Sequence, residues 1–147
     1  MEPRNSTEYI QKEHLEIVRL ADKVAQALAL ASKDDFSARQ EGLAELRALQ
    51  HGLLGISQHC SAEDGILESD FHHYLDAKDY SHLRDEHAAI TRIVAGLLRE
   101  LPYVTADSIT ELCPVGEDLL ERIREHVAFE QEMLWRIAER REQYQYQ

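Results

Sequence analysis

Four stretches of this chain place apolar residues three or four positions apart, and every one of those stripes is interrupted by a histidine. The first stripe reads Ile10, His14, Ile17, Ala21, Val24 and Leu28. The second is Leu46, Leu49, Leu53, Ile56, His59, Glu63 and Leu67. The third is Leu83, His87, Ile90, Val94, Leu97 and Leu101, and the fourth is Leu119, Ile123, His126, Glu130, Met133, Leu134 and Ile137. Such spacing puts one face of an α-helix against a core, and no useful length of the chain alternates with the period of a strand. The expected fold is therefore all-α. Four long amphipathic helices with short to moderate links make an antiparallel up-down-up-down four-helix bundle.

Local signals set the expected boundaries. Helix 1 starts after Ser6 or Thr7 as N-cap and runs to about Ala31, and the polar link 32–37 breaks it. Helix 2 covers roughly 38–68. The segment 69–80, with Phe71, His72, His73 and Tyr74, reads as a loop. Ser81 is the expected N-cap of helix 3, which stops at about Leu101 before Pro102. Ser108 and Glu111 have the spacing of a capping box, which predicts a short helix there. Pro114 either kinks a continuing helix or opens a fresh one. Helix 4 runs to about Arg141, and the tail 142–147 is expected to fray. The whole of 1–147 reads as one domain with its core over about 7–141.

Composition narrows the partners. The 147 residues carry 16 Lys+Arg against 28 Asp+Glu, a net charge of −12. That balance argues against nucleic acid, whose phosphates need cationic side chains, and against an anionic membrane surface. No apolar run reaches the ~18 residues that span a bilayer. The start of the sequence lacks the basic and apolar regions of a secretory signal, so a cytoplasmic location is expected. Cys60 and Cys113 are too few for a disulfide framework and read as reduced thiols, with a single bridge as the alternative and packing as the default role for Cys60.

The chemistry sits in the interrupted stripes. Helices 2 and 4 share His59-x3-Glu63 and His126-x3-Glu130, which put an imidazole and a carboxylate one turn apart on one face. Helices 1 and 3 share Glu13-His14 and Glu86-His87. The pattern is thus a weak internal repeat, Glu-His and then His-x3-Glu, twice over. Counted from the helix ends at ~1.5 Å per residue, the four histidines fall within about a turn of one level. Carboxylates brought into an apolar core at that level need compensation, since an unpaired buried charge costs many kcal/mol. Two cations supply it. One would take His14 with His59, the other His87 with His126, and Glu63 and Glu130 would bridge them. Imidazole and carboxylate ligation with open positions favours iron, with zinc and manganese as alternatives.

These motifs resemble the hemerythrin-like, HHE cation-binding family. The resemblance rests on His14, His59-x3-Glu63, Glu86-His87 and His126-x3-Glu130. Leu83-x2-Glu86-His87-x2-Ile90 and Glu130-x3-Leu134-Trp135 add context, and it extends from about Tyr9 to Arg140. It implies an antiparallel bundle around two non-haem iron ions with an oxo or hydroxo bridge, held by His14, His59, Glu63, His87, His126 and Glu130. Glu13 and Glu86 read first as solvated neighbours of the ligands, with a place behind them or a ligating carboxylate as the alternative. Oxygen-carrying hemerythrins have a further His one turn before the helix 3 ligand, where this chain has Leu83. The adjacent His82 points about 100° away and joins the set only if the helix is distorted. Those carriers also use His-x4-Asp on the last helix, where this chain has His-x3-Glu.

The set looks more like that of bacterial proteins implicated in nitric-oxide response, iron-centre maintenance or redox sensing. The resemblance therefore implies binding or sensing of a small diatomic ligand or peroxide, or a part in iron and redox stress handling. A di-iron enzyme (iron oxidase, peroxide or nitric-oxide reduction) and a structural or storage role for the metal are the alternatives. His51, His72 and His73 are expected at the rim or surface, with the last two near an entry to the site. Gly52 and Gly55 are read as close packing or as the wall of a ligand channel.

Overall fold

A computed structural model describes residues 3–145 of the chain. Helix α1 is Pro3–Ala31, α2 is Phe36–Ala48, α3 is Gln50–Ser69, α4 is Ala77–Glu100 and α5 is Cys113–Gln145, with a 3₁₀ turn at Ile109–Glu111. There is no strand among the described residues. No helix there is long and apolar enough to cross a membrane. Helix α1 packs on α2, α3 and α5, while α4 packs on α3 and α5. The antiparallel four-helix bundle is therefore present, with α2 and α3 end to end forming its second leg.

That division is the main departure from the expected single helix 2. Leu49 sits at φ −94°, ψ 4°, between the two segments. Its N–H turns back to the Leu46 carbonyl at 3.0 Å, a tighter i−3 bond. Just before the break, the Arg47 guanidinium donates to the carbonyls of Leu101 (3.1 Å) and Val104 (2.6 Å). The last turn of α2 is thereby tied to the chain leaving α4, while α3 pursues its own line.

Other boundaries move for reasons visible in the side chains. Helix α1 begins before Ser6, whose hydroxyl donates to the Asp70 carboxylate across the bundle and holds its pKa down. Ser6 is thus a tie between α1 and the end of α3 rather than an N-cap. Asp35 accepts from the Ser37 N–H and starts α2 earlier than expected. Asp76, not Ser81, caps α4 by accepting from the Asp79 N–H at 2.8 Å. The Ser108 hydroxyl accepts from the Thr105 N–H, so the predicted capping box makes only the 3₁₀ turn. Pro114 lies in the first turn of a fresh helix, where its missing N–H costs nothing. Helix α5 continues to Gln145, so the expected fraying does not begin at 142; residues 146 and 147 lie outside the described part.

The core is in two parts. A large cluster on one side includes Ile17, Ile56, Ile90 and Ile123. A smaller one on the other joins Ile10, Leu67, Phe71, Leu83, Met133, Leu134 and Ile137. Between them lies a buried polar layer: His14, His59, Glu63, His87, His126 and Glu130. Every stripe histidine belongs to that layer.

Gly42 and Gly55 both sit inside helices, yet their surroundings differ. A Cβ on Gly42 would lie 2.6 Å from the Ala31 nitrogen and 2.7 Å from the Ala27 oxygen, both backbone atoms that cannot step aside. Gly55 has nothing within 4 Å of the same point. Gly42→Ala should therefore destabilise the protein by about 1–3 kcal/mol through overpacking of α1 on α2. Gly55→Ala should stabilise by up to about 1 kcal/mol through helix propensity. Urea denaturation midpoints of the two variants check the opposite signs.

Candidate metal centre

Each leg of the bundle delivers its part of the polar layer by helical spacing. Helix α1 brings His14, α3 brings His59 and Glu63, α4 brings His87, and α5 brings His126 and Glu130. Glu63 and Glu130 are 0% exposed and the four imidazoles at most 4%. The His59 Nε2 lies 2.5 Å from Glu63 Oε2. The His126 Nε2 contacts Glu130 Oε1. Across helices, His14 Nε2 is 3.7 Å from Glu63 Oε2 and 3.6 Å from Glu130 Oε2. His87 Nε2 is 3.4 Å from Glu63 Oε1, 3.4 Å from Glu130 Oε1 and 2.9 Å from His126 Nε2.

Two groupings emerge, each with its donor atoms within 4.8 Å of one another: His14, His59 and Glu63, and His87, His126, Glu63 and Glu130. The histidines pair as expected from the repeat, and Glu63 is common to both groups. Glu130 turns one oxygen to each side, Oε1 toward His87 and His126 and Oε2 toward His14.

Outside the His87 Nε2 contacts with His126 and Glu130, proximity here is not hydrogen bonding. Nε2 of His14 and His59, both oxygens of Glu63 and Oε2 of Glu130 are buried without a hydrogen-bond partner. An imidazole whose proton sits on Nδ1 presents only a lone pair from Nε2, and a carboxylate presents only lone pairs. Unpartnered atoms of His14, His59, Glu63 and Glu130 thus converge on one dry space, beside the His87–His126 contact. Left to themselves they repel, whereas a divalent cation accepts imidazole nitrogen and carboxylate oxygen together. The donor set fits metal.

A second ring of carboxylates backs the imidazoles. The His87 Nδ1–H donates to Asp64 Oδ1 at 2.6 Å. Glu13 Oε2 is 3.6 Å from His59 Nδ1, and Glu86 Oε2 is 3.5 Å from His126 Nδ1. The Asp64 hydrogen bond sets the tautomer that turns the His87 Nε2 inward, and Glu13 and Glu86 stand close to the other two without making that bond. Glu13 and Glu86 thus lie beside neighbouring imidazoles rather than as simple solvated neighbours of the ligands. Asp64 was not anticipated, because its only signal is adjacency to Glu63, and which neighbouring helix it faces is decided by packing. Tyr9, one turn before Glu13, hydrogen-bonds that carboxylate, which raises the phenol's pKa.

The charges respond accordingly. Burial alone would raise the pKa of Glu63, but His14, His59 and His87 hold it well below the usual carboxylate range. Burial likewise opposes the charged form of His87, yet Asp64 and Glu63 lift it to about 9. His126 is pushed down by burial and by the neighbouring His87. Desolvation would raise Glu86, and His126 and His82 hold it down.

His82 is not brought into the layer. It is half-exposed, lies 2.8 Å from Glu86 Oε1 and rests on the Phe129 ring. Leu83, at the position of the carriers' additional His, is fully buried in the smaller apolar cluster. His51, His72 and His73 are exposed, and the latter two line no part of the layer.

A family model, that of the hemerythrin HHE cation-binding domain, matches residues 5–138. No curated protein and no solved structure matches the chain.

Both cysteines are free and buried in the larger apolar cluster. Cys60 follows His59 but faces away from the layer. Burial, reinforced by the Glu63 charge, pushes its thiol up to about 12. Cys113 donates to the Ile109 carbonyl and accepts from the Ser32 hydroxyl. A thiol near 12 is ionised about a thousandfold less than one at its ordinary value, and only the thiolate reacts. With Cys60 buried and held protonated and Cys113 buried, a chromogenic disulfide reagent at mildly alkaline pH should label neither in the native protein and both after denaturation. Rapid labelling of Cys60 in the folded state would contradict its place in the core.

Proposed function

The chain belongs to the hemerythrin HHE cation-binding family, and on that premise we propose that it is a non-haem di-iron protein that binds or senses a small diatomic ligand or peroxide. The observation that carries this reading is the pair of fully buried carboxylates, Glu63 and Glu130, facing four buried imidazoles without hydrogen-bond partners for most of the facing atoms. His14 and His59 would hold one ion and His87 and His126 the other, with Glu63 and Glu130 between them. Iron in that donor set would supply redox chemistry together with coordination positions that the protein does not fill, since three or four side chains fall short of the six an iron ion commonly takes.

The surrounding residues favour a small ligand over a large one. The layer is flanked on both sides by apolar clusters, so bulky molecules are kept from it. In that low-dielectric setting each polar contact inside is strengthened. Asp64 keeps the proton of His87 on Nδ1, while Glu13 and Glu86 place a negative charge 3.6 and 3.5 Å from the Nδ1 of His59 and His126 without a hydrogen bond. The His87 imidazole so bonded turns its lone pair inward, which pre-orders that donor before any ligand arrives.

Purified protein is expected to contain about two irons per chain, with ferric absorption in the near ultraviolet that changes on addition of nitric oxide or oxygen after anaerobic reduction. His59→Ala and Glu63→Ala should each lower metal content by at least about tenfold at limiting iron, as loss of a ligand costs more than loss of a supporting contact. Circular dichroism shows whether the bundle survives each change. Protein that carries zinc alone at full occupancy, or variants that keep both irons, would sink the assignment.

A further inference from the structure

One side of the bundle is open beside the polar layer. A cleft of about 230 Å³ lies between α1 and α3, with Glu13, Glu16, Ile17 and Leu20 on one wall and Gly55 and Ile56 on the other. Ile17 follows His14 by three residues, and Gly55 precedes His59 by four. The cleft therefore stands about one helical turn, ~5.4 Å, from the His14–His59 pair. Glu13 belongs to both places: it lines the cleft, and its Oε2 is 3.6 Å from His59 Nδ1.

Gly52 and Gly55, two of the three glycines of α3, have different reasons to be there. A Cβ on Gly52 would lie 2.8 Å from the Leu20 Cδ1, so Gly52 seats that leucine. Gly55 has no such neighbour, with nothing within 4 Å of its Cβ position. Each glycine costs the helix about 1 kcal/mol relative to Ala. Close packing accounts for the first. What Gly55 leaves is open space on the face that carries His59 one turn later.

Charge and lining then select what can use that space. The walls named are apolar apart from Glu13 and Glu16, and no cationic side chain lines the cleft. We propose that the α1–α3 cleft is the entry route by which small uncharged ligands reach the buried layer, and that its two glutamates exclude anions. This inference rests on the reading of the layer as a ligand-binding metal centre. Uncharged diatomic gases and hydrogen peroxide cross an apolar, acid-rimmed passage, whereas an anion meets like charge before it meets a cation.

The test uses iron-loaded protein in stopped-flow absorption, with nitric oxide as the uncharged probe and azide as the anion. Gly55→Leu places a side chain in the open space and should slow association of both by about tenfold or more, with dissociation slowed equally and Kd unchanged, as expected for a gate rather than a ligand contact. Glu16→Gln should speed azide association by roughly three- to tenfold in low salt and leave nitric oxide within about twofold. Gly96→Leu, on α4 where an added Cβ also meets nothing, is the control and should change neither rate. Unchanged rates in Gly55→Leu overturn the route, and an unchanged azide rate in Glu16→Gln overturns the charge filter.

A second readout does not depend on iron chemistry. In zinc-loaded protein, paramagnetic relaxation by dissolved oxygen should be stronger at the methyls of Ile17, Leu20 and Ile56 than at those of Leu134 and Ile137, and Gly55→Leu should abolish the difference. If iron-loaded wild type responds to neither probe, the proposed function fails, and the oxygen relaxation decides the cleft by itself. Equal relaxation at both sets of methyls would overturn it.

Discussion

Two carboxylates sealed from solvent in the middle of a helical core are the condition that the rest of this bundle has to satisfy. Glu63 and Glu130 lose their hydration entirely, and each must be answered by groups brought from other helices. Four imidazoles do this, one from each leg. The requirement explains why the legs keep a single register. Sliding one helix by a residue would turn its histidine away by about 100° and leave a buried carboxylate short of a partner. It also explains the divided core, in which apolar clusters on both sides shield the layer while the layer aligns the helices.

The internal repeat has structural content beyond the ligands. Glu13 precedes His14 on α1 and reaches His59 on α3; Glu86 precedes His87 on α4 and reaches His126 on α5. In each half, the residue before one histidine backs the histidine of the next leg. A second relation runs from α3 to α4, where Asp64, after Glu63, backs His87. Its counterpart after Glu130 is Gln131, which is exposed; the Nδ1 atoms of His59 and His126 make no hydrogen bond but have carboxylates at 3.6 and 3.5 Å, whereas the His14 Nδ1 has neither. The two halves are therefore unequal: His87 and His126 both have a carboxylate behind them, whereas of His14 and His59 only His59 does. The open cleft lies on the side of the less supported pair.

Much of this was legible in the chain because a helix converts sequence spacing directly into position on a face. His59 and Glu63, or His126 and Glu130, needed only the four-residue interval to be placed side by side. The apolar stripes likewise told which faces turn inward, and Leu83 could be read as core. End signals were less reliable. Ser6, Ser81 and Ser108 all had the chemistry of caps, but Ser6 found Asp70 across the bundle, Asp76 capped α4 first, and Ser108 turned to Thr105. Competing acceptors and donors distant in sequence decide such contacts. The break at Leu49 belongs with them, since the ties made by Arg47 to Leu101 and Val104 span more than fifty residues.

The sequence by itself determined a helical bundle with six inward-facing donors at one level, because periodicity and burial are properties each helix carries alone. Tertiary structure decided everything that depends on the angle and distance between helices. It grouped the donors as three and four with Glu63 in common, set Asp64 rather than a more conspicuous residue behind His87, and left His82 outside. It also made Gly52 a seat for Leu20 and Gly55 an opening. Spacing along a helix says which residues share a face; only packing says what that face meets.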